Sequence, residues 1–248
     1  MKFVVGRLIF LLLVVVSILF LEGASLYISV GCVGIVWLTI ISLGSANIRW
    51  DFFIKSIHSV QSGNIVLTFD DGPDEVHTPL ILDVLKKQNV KAHFFIIGKK
   101  SVLQKELLKR IVKEGHSLGN HSFSHARNLG FTSTKKIIAD FNKTNAIIKE
   151  VTGQVPLYFR PPFGVTSPGI AKGIKRTNMI SVGWTLRSLD TVAKSSEELL
   201  MNLKRKTTNS GQIVLLHDRC KVTSDILDEY IDFCKSKELK FAILSPKK

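Results

Sequence analysis

The stretch IVLTFDDGPD, residues 65–74, runs from an apolar segment directly into two adjacent carboxylates. Ile65-Val66-Leu67 has the composition of a buried strand, whereas the like charges of Asp70 and Asp71 repel each other and disfavour strand structure. A tight turn is one explanation, because turns favour Asp, Gly and Pro. The other explanation is that the carboxylates perform chemistry at the end of a strand.

From residue 60 onward, short apolar segments alternate with amphipathic ones. The predicted strands are 64–69, 92–97, 116–120, 157–160, 179–184, 212–216 and 240–244. The predicted helix starts are Thr78, Ser101 (in a capping box with Gln104) and Ser195 (in a box with Glu198), and the predicted stops are Gly115 and Gly153. Seven strands separated by helices predict an α/β domain of parallel βα units, as a barrel or a doubly wound sheet.

Polar side chains follow these strands where each strand ends. In such folds ligands bind at the carboxyl ends of the strands, so these residues are candidates for one site. They are Asp70 and Asp71 after the first strand, His121 after the third, Arg160 at the end of the fourth, Asp190 after the fifth and His217 at the end of the sixth.

The segment HSFSH carries His121 and His125 four residues apart. At this spacing two imidazoles can face one point and bind a metal. The spacing alone is weak, because pairs of surface histidines arise often by chance. Two histidines with one nearby aspartate around an open position form a catalytic metal pattern.

The segment FRPPFG, residues 159–164, places Arg160 before two prolines that stiffen the loop. Arg160 is either a solvated arginine in a turn or a guanidinium held against a carboxylate. The segment IVLLHD ends a buried strand on His217, which is either structural or a general acid beside a metal. Asp190 can hydrogen-bond such a histidine and raise its pKa.

The N-terminus has two apolar stretches, residues 3–21 and 24–43, separated by Glu22-Gly23. About 20 residues cross a hydrocarbon core of ~30 Å, so we predict a transmembrane hairpin. A cleaved signal peptide is the alternative for the first stretch. A hairpin puts the positive residues flanking it on one side, the cytoplasm by the positive-inside rule, whereas a single crossing would place the remainder of the chain outside.

The net charge of +14 favours anionic partners. The sequence shows no basic and aromatic nucleic-acid motif, so we assign the charge to a solvated or membrane-facing surface and expect no nucleic acid and no obligate protein partner. Three cysteines argue against a disulfide framework.

Four motifs in this order, TFDDGP, HSFSH, RPPFG and LLHD, resemble the polysaccharide deacetylases of carbohydrate esterase family 4, the NodB-homology domain. The resemblance covers roughly residues 60–246. It implies a distorted (β/α) barrel of about seven strands and a metal-dependent hydrolysis of N-acetyl groups on amino sugars in a glycan. The chain then divides into a membrane anchor at 1–48, a connector at 49–60 and a catalytic domain at 61–248, in the cytoplasmic membrane of a bacterium.

The resemblance also implies roles for individual residues. Asp70 is the general base, Arg160 orients it, and His217 is the general acid tuned by Asp190. The expected metal ligands are Asp71, His121 and His125, with Zn2+ expected and Co2+, Ni2+ or Mn2+ as alternatives. The expected substrate-binding residues are Pro162, Phe163 (through its backbone N–H), Trp184 and Leu215.

One motif departs from the family pattern. Where the family commonly has an acid and a Trp around Asp190, this sequence has Arg187 and Thr191. The change puts a chitin-type or peptidoglycan-type substrate in doubt and favours an anionic glycan or a lipid-linked phosphate. Two other functions stay open: a membrane-tethered glycan-binding protein without turnover, and a hydrolase of a small or lipid-linked amide inside the cell.

Overall fold

The computed structural model describes residues 2–245 and contains one parallel sheet wrapped by helices. The strands lie in the order β1-β6-β5-β4-β3-β2-β8-β7, with β9 paired to β2. Their bounds are β1 Ser56–Ile57, β2 Asn64–Asp70, β3 His93–Ile96, β4 Ser117–Asn120, β5 Tyr158–Phe159, β6 Ile180–Val182, β7 Leu186–Arg187, β8 Gln212–His217 and β9 Lys240–Phe241.

The sheet curls into a distorted barrel, as expected. Strands β6 and β7 lie near opposite ends of the strand order, yet only residues 183–185 separate them along the chain. The Thr185 N–H donates to the Ile213 carbonyl of β8 at 3.1 Å. Residues 183–185 therefore run from the β6 end of the sheet to the β8–β7 end. The described residues form nine strands rather than seven, because β1 and β7 have two residues each and leave no alternating pattern in the sequence.

The helices are α1 Lys2–Phe20, α2 Gly23–Ala46, α3 His77–Lys87, α4 Gly98–Ser101, α5 Lys105–Lys113, α6 Thr134–Thr152, α7 Pro168–Arg176, α8 Ser196–Lys206 and α9 Lys221–Ser236. The predicted cap of α8 is confirmed, since the Ser195 side chain accepts from the Glu198 N–H. The predicted stop of α6 is confirmed too, because Gly153 adopts a left-handed conformation with φ 75°.

Two predicted helix starts are wrong. Helix α3 begins at His77, one residue earlier, and the His77 N–H donates to Asp74 Oδ1 at 2.8 Å. The hydroxyl of Thr78 donates instead to Asp218, which lies after β8. Ser101 ends the short helix α4, and its hydroxyl donates back to the Ile97 carbonyl.

The core follows the alternation of β2. Leu67 and Phe69 pack outward against the surrounding helices, whereas Val66 packs in a separate cluster with residues of β3, β5, β6 and β8. Thr68 and Asp70 share the face of Val66, since successive side chains of a strand alternate. Asp70 is therefore directed into the mouth of the barrel.

Helices α1 and α2 form an antiparallel hairpin. The Ser17 and Ser29 hydroxyls are 2.8 Å apart near its tip, and Phe10 stacks on Trp37 with ring centroids 5.5 Å apart. At the open end, Lys2 Nζ donates to the Trp50 carbonyl. Both helices are long and apolar enough to cross a membrane, a property that signal sequences share.

Candidate active site

A cavity of about 180 Å³ opens at the carboxyl ends of β2 and β8. Asp70 and His217 are register partners on these two strands, so the expected base and acid face the same space. The cavity is lined by Asp70, Asp71, His121, His125, Phe163, Gly164, Trp184, Arg187, Thr191, Leu215, His217 and Arg219.

Asp71, His121 and His125 form a group that fits a divalent metal, with ligand atoms all within 4.8 Å of one another. Asp71 Oδ1 lies 3.1 Å from His125 Nε2 and 3.5 Å from His121 Nε2. His121 Nδ1 lies 2.8 Å from the Arg160 carbonyl. Because a carbonyl only accepts, Nδ1 carries the proton and Nε2 presents its lone pair to the group, as metal-binding histidines do.

The backbone around this group is unusual. Asp71 and His125 have φ values of 73° and 49°, in the left-handed region that residues other than Gly seldom adopt. Local strain of this kind concentrates at functional sites. Burial would raise the pKa of the Asp71 carboxyl, but its neighbours His121, His125 and Arg219 outweigh that effect and hold the pKa well below its usual range.

Arg160 is fully buried and fixes Asp70. Its Nη1 donates to Asp70 Oδ1 and to the Thr68 hydroxyl, both at 2.7 Å, and its Nη2 donates to the Gly183 carbonyl at 2.8 Å. The guanidinium also lies 4.3 Å from the centre of the Phe95 ring. The interpretation of Arg160 as a solvated turn residue is therefore wrong.

The second oxygen of Asp70 faces the metal group, with Oδ2 3.8 Å from His121 Nε2. Burial lowers the pKa of Arg160, and the neighbouring Asp70 carboxylate opposes that effect. One carboxylate oxygen is thus held by the guanidinium, and the other faces the group formed by Asp71, His121 and His125.

His217 is oriented by Asp190. Its Nδ1 lies 2.7 Å from Asp190 Oδ1, while Asp190 Oδ2 accepts from the His217 N–H at 2.6 Å and from the Thr223 hydroxyl at 2.7 Å. Burial lowers the pKa of His217, but the bond to Asp190 and its charge outweigh burial and raise it. The ring therefore donates from Nδ1 to Asp190, and Nε2 is the atom available to the cavity.

The family model named polysaccharide deacetylase matches residues 58–182. The chain belongs to this family. It is 34% identical over 184 residues to a peptidoglycan-N-acetylglucosamine deacetylase of Bacillus cereus, a match that covers 73% of this chain and 66% of that protein.

Solved structures of the family superpose well on this chain. A peptidoglycan N-acetylglucosamine deacetylase crystallised with a hydroxamate-type benzamide has a TM-score of 0.71 at 31% identity, covering 75% of this chain and 89% of that one. A CE4 family pseudoenzyme from Bacillus anthracis has a TM-score of 0.68 at 30% identity, covering 74% and 64%. The fold therefore occurs both in a deacetylase and in a pseudoenzyme.

The loop after β5 forms one wall of the cavity. Phe163 has a φ of 60° and its ring lies 4.7 Å from the His125 ring. Gly164 adopts a φ of 70° directly against the Trp184 ring, where any Cβ would collide with the indole. Pro162 differs from the expectation: it is buried and does not line the cavity, because its turn presents Phe163 and Gly164 instead.

The two departures from the family pattern lie in the same cavity. Arg187 and Thr191 line it together with Leu215, which is 4% exposed. Asp190 itself is buried behind His217 and reaches the cavity only through that histidine.

Sequence reasoning missed several residues around the site. Arg219 Nε donates to Asp71 Oδ2 at 2.9 Å, and its place directly after His217-Asp218 was a signal that could have identified it. Thr68 and Thr223, which bond Arg160 and Asp190, left no such signal. Arg49, which donates to the Trp184 and Thr185 carbonyls, lies far from every motif.

Proposed function

We propose that this chain is a metal-dependent hydrolase that removes N-acetyl groups from N-acetylglucosamine-type amino sugars, in a polysaccharide, in peptidoglycan or in a lipid-linked glycan. The observation that supports the proposal is that three features surround one cavity: a carboxylate held by Arg160, an imidazole held by Asp190 and a group that fits a metal. We propose that the carboxylate is the base and the imidazole the acid. Binding a glycan requires neither base nor acid, so their presence favours turnover.

Asp71, His121 and His125 would hold the cation, for which we propose Zn2+, with Co2+, Ni2+ or Mn2+ as alternatives. When bound, such an ion lowers the pKa of water and polarises an amide carbonyl. The donor set of two imidazole nitrogens and one carboxylate oxygen is that of catalytic zinc sites with an open position.

The protein groups supply the proton transfers. Asp70, held by Arg160, takes a proton from the attacking water while the water oxygen bonds to the acetyl carbon. The Phe163 backbone N–H donates to the oxygen that gains negative charge. His217 Nε2 then gives a proton to the sugar nitrogen as the C–N bond breaks, which leaves acetate and a free amine.

We also propose that α1 and α2 anchor the protein in the cytoplasmic membrane of a bacterium. Residues 1–48 would form the anchor, 49–60 the connector and 61–248 the catalytic domain. The hairpin geometry supports this arrangement, because the exposed side chains of both helices are overwhelmingly apolar.

The test is acetate release by the detergent-solubilised full chain, supplied with zinc and a panel of N-acetylglucosamine oligomers, peptidoglycan and lipid-linked sugars. We expect Asp70→Asn to lower kcat by at least about 100-fold, since a positioned base contributes that much or more. A chelator should abolish the activity and added metal should restore it. The matched control is Asp83→Asn, an exposed carboxylate that pairs with Arg110 away from the cavity.

Acetate release that persists in Asp70→Asn would contradict the proposed mechanism. A protein that binds metal and glycan but releases no acetate from any substrate would instead be a binding protein, which is the second candidate. The solved pseudoenzyme from Bacillus anthracis is the observation that keeps this candidate in view.

A further inference from the structure

The end of α2 is bonded to the loop that forms one wall of the cavity. The Thr166 N–H donates to the Ser45 carbonyl at 3.0 Å, and the Ser45 hydroxyl donates to the Thr166 carbonyl at 2.6 Å. Ser45 is the penultimate residue of α2, and Thr166 follows the cavity-lining Gly164 by two residues. This wall is thus joined directly to the second apolar helix.

The adjoining wall, at Trp184, is held by the residues that follow α2. Arg49 donates from Nε to the Trp184 carbonyl at 3.1 Å and from Nη2 to the Thr185 carbonyl at 2.8 Å. Ile48 is buried, and a Cβ on Gly183 would lie 3.1 Å from its Cγ2. Trp184 lines the cavity. Both walls are therefore fixed within a few residues of the point where the chain leaves the proposed membrane span.

An uncompensated cation stands on the same wall. Arg187 follows Trp184 by three residues, lines the cavity and is exposed to solvent. Within residues 2–245 no carboxylate forms an ion pair with it, whereas Arg219, the other arginine of the cavity, is paired with Asp71. A guanidinium in this position suits a phosphate, which it can bind through two hydrogen bonds.

We propose that the site takes an N-acetylated amino sugar joined through a phosphate or diphosphate to a membrane lipid, with Arg187 binding the phosphate. This inference rests on the proposed deacetylase function and narrows its substrate. The reaction is the same amide hydrolysis, in which water supplies the oxygen of acetate and the sugar nitrogen is protonated; the phosphate is not cleaved.

The phosphate could equally belong to a soluble nucleotide sugar, and the attachment of the walls to α2 is what favours the lipid. A lipid-linked substrate can reach this cavity without leaving the bilayer, because the cavity walls are held at the end of α2, the proposed membrane span. A nucleotide sugar gains nothing from that placement. A lipid-linked substrate and a nucleotide sugar therefore predict different rates of acetate release, although both carry the same sugar and a phosphate.

The experiment uses the full chain in lipid nanodiscs loaded with metal. Three probes are compared by acetate release: N-acetylglucosaminyl diphosphate on a polyprenyl chain in the same discs, UDP-N-acetylglucosamine, and the neutral N-acetylglucosamine tetramer. We expect kcat/KM to be at least tenfold higher for the polyprenyl substrate than for either other probe.

Variants then test Arg187. Arg187→Gln should reduce the ratio of kcat/KM on the polyprenyl substrate to kcat/KM on the neutral tetramer by at least fivefold, mainly through KM. Arg187→Lys should keep part of that ratio, because it retains the charge. Arg176→Gln is the matched control, since Arg176 is an exposed arginine on α7 outside the cavity, and its ratio should not change.

Each other outcome overturns a defined part of the proposal. Equal rates on the polyprenyl and UDP-linked sugars would overturn the lipid assignment. Preference for the neutral tetramer, abolished in Asp70→Asn, would overturn the inference and leave the proposed function standing. Release of acetate from none of the probes or the wider glycan panel would overturn both.

Discussion

At the scale of single residues, Asp190 controls the protonation of the His217 ring. Asp190 is buried and gives both of its oxygens to fixed donors, so it cannot turn away from the histidine. Burial raises the pKa of Asp190, but its bond to His217 outweighs that effect and lowers it. The carboxylate therefore stays charged and favours the protonated ring.

Replacing Asp190 with Asn should lower the fraction of His217 that is protonated near neutral pH. The pKa of His217 is raised by Asp190, so removal of the negative charge lowers that pKa and the ring loses its proton at lower pH. We expect the alkaline limb of the kcat/KM profile to move to lower pH and kcat to fall by about 10- to 100-fold. The measurement is a pH–rate profile of acetate release with metal held at saturation.

Asp232→Asn is a suitable control for this profile, because Asp232 bonds Gln88 on the outer surface. An alkaline limb that stays in place in Asp190→Asn, with kcat merely reduced, would show that Asp190 only positions the ring. In that case His217 would still donate the proton, and the charge of Asp190 would not set its pKa.

At the scale of elements, the loop after β5 depends on the absence of a side chain at residue 164. Gly164→Ala forces a methyl group against the Trp184 ring in a left-handed backbone conformation. Overpacking of this kind costs about 1–3 kcal/mol. We expect the melting temperature of the solubilised protein to fall by about 2–4 °C per kcal/mol, and kcat/KM to fall at least tenfold because Phe163 moves with the loop.

Gly130→Ala provides the comparison. Gly130 is half-buried in a 3-10 helix at 129–131, and the nearest atom to an added Cβ is Ile170 Cδ1 at 3.6 Å. This variant should melt within about 1 °C of the native protein. Equal effects of the two substitutions would show that the close approach of Gly164 to Trp184 is unimportant.

The elements that were predictable are those with a local pattern. The strands at 64–70 and 212–217 end within one residue of the predicted bounds, because their apolar runs are clear. The helix at 134–152 ends at the predicted stop Gly153, because a glycine there is a strong local signal. The rule that ligands bind at the carboxyl ends of parallel strands predicts from the sequence that Asp70, His121, Arg160 and His217 lie close together.

What failed depended on contacts between distant parts of the chain. The local sequence predicts that Thr78 caps a helix, but its hydroxyl donates to Asp218, which is 140 residues away. Strand β7 exists only because β8 lies beside it. The contact of Arg49 with the wall at Trp184 has no local signature either, and together with the Ser45–Thr166 bonds it links the end of α2 to the cavity.

At the scale of the whole molecule, the hairpin returns the chain to the side on which it starts. Lys2 Nζ donates to the Trp50 carbonyl, so the start of α1 lies beside the segment that follows α2. Lys2, Arg49 and Lys55 all lie at this end, which the positive-inside rule assigns to the cytoplasm. We expect a green fluorescent protein fused after residue 248 to fluoresce and an alkaline phosphatase fused there to be inactive.

The reciprocal fusion tests the same topology. Alkaline phosphatase inserted after Gly23, at the tip of the hairpin, should be active. An active phosphatase at the C-terminus would contradict the hairpin and indicate a single crossing, with the catalytic domain outside the membrane.

The pairing of β2 with β8 also sets the order of events during synthesis. Asp70 and His217 become neighbours only after the 146 residues between them have left the ribosome, whereas the apolar hairpin emerges first. The domain therefore folds slowly, through contacts of large sequence separation, after the proposed anchor has emerged. With α1 and α2 inserted as we propose, nascent chains would spend their unfolded lifetime at the bilayer surface, where only lateral diffusion is left to them.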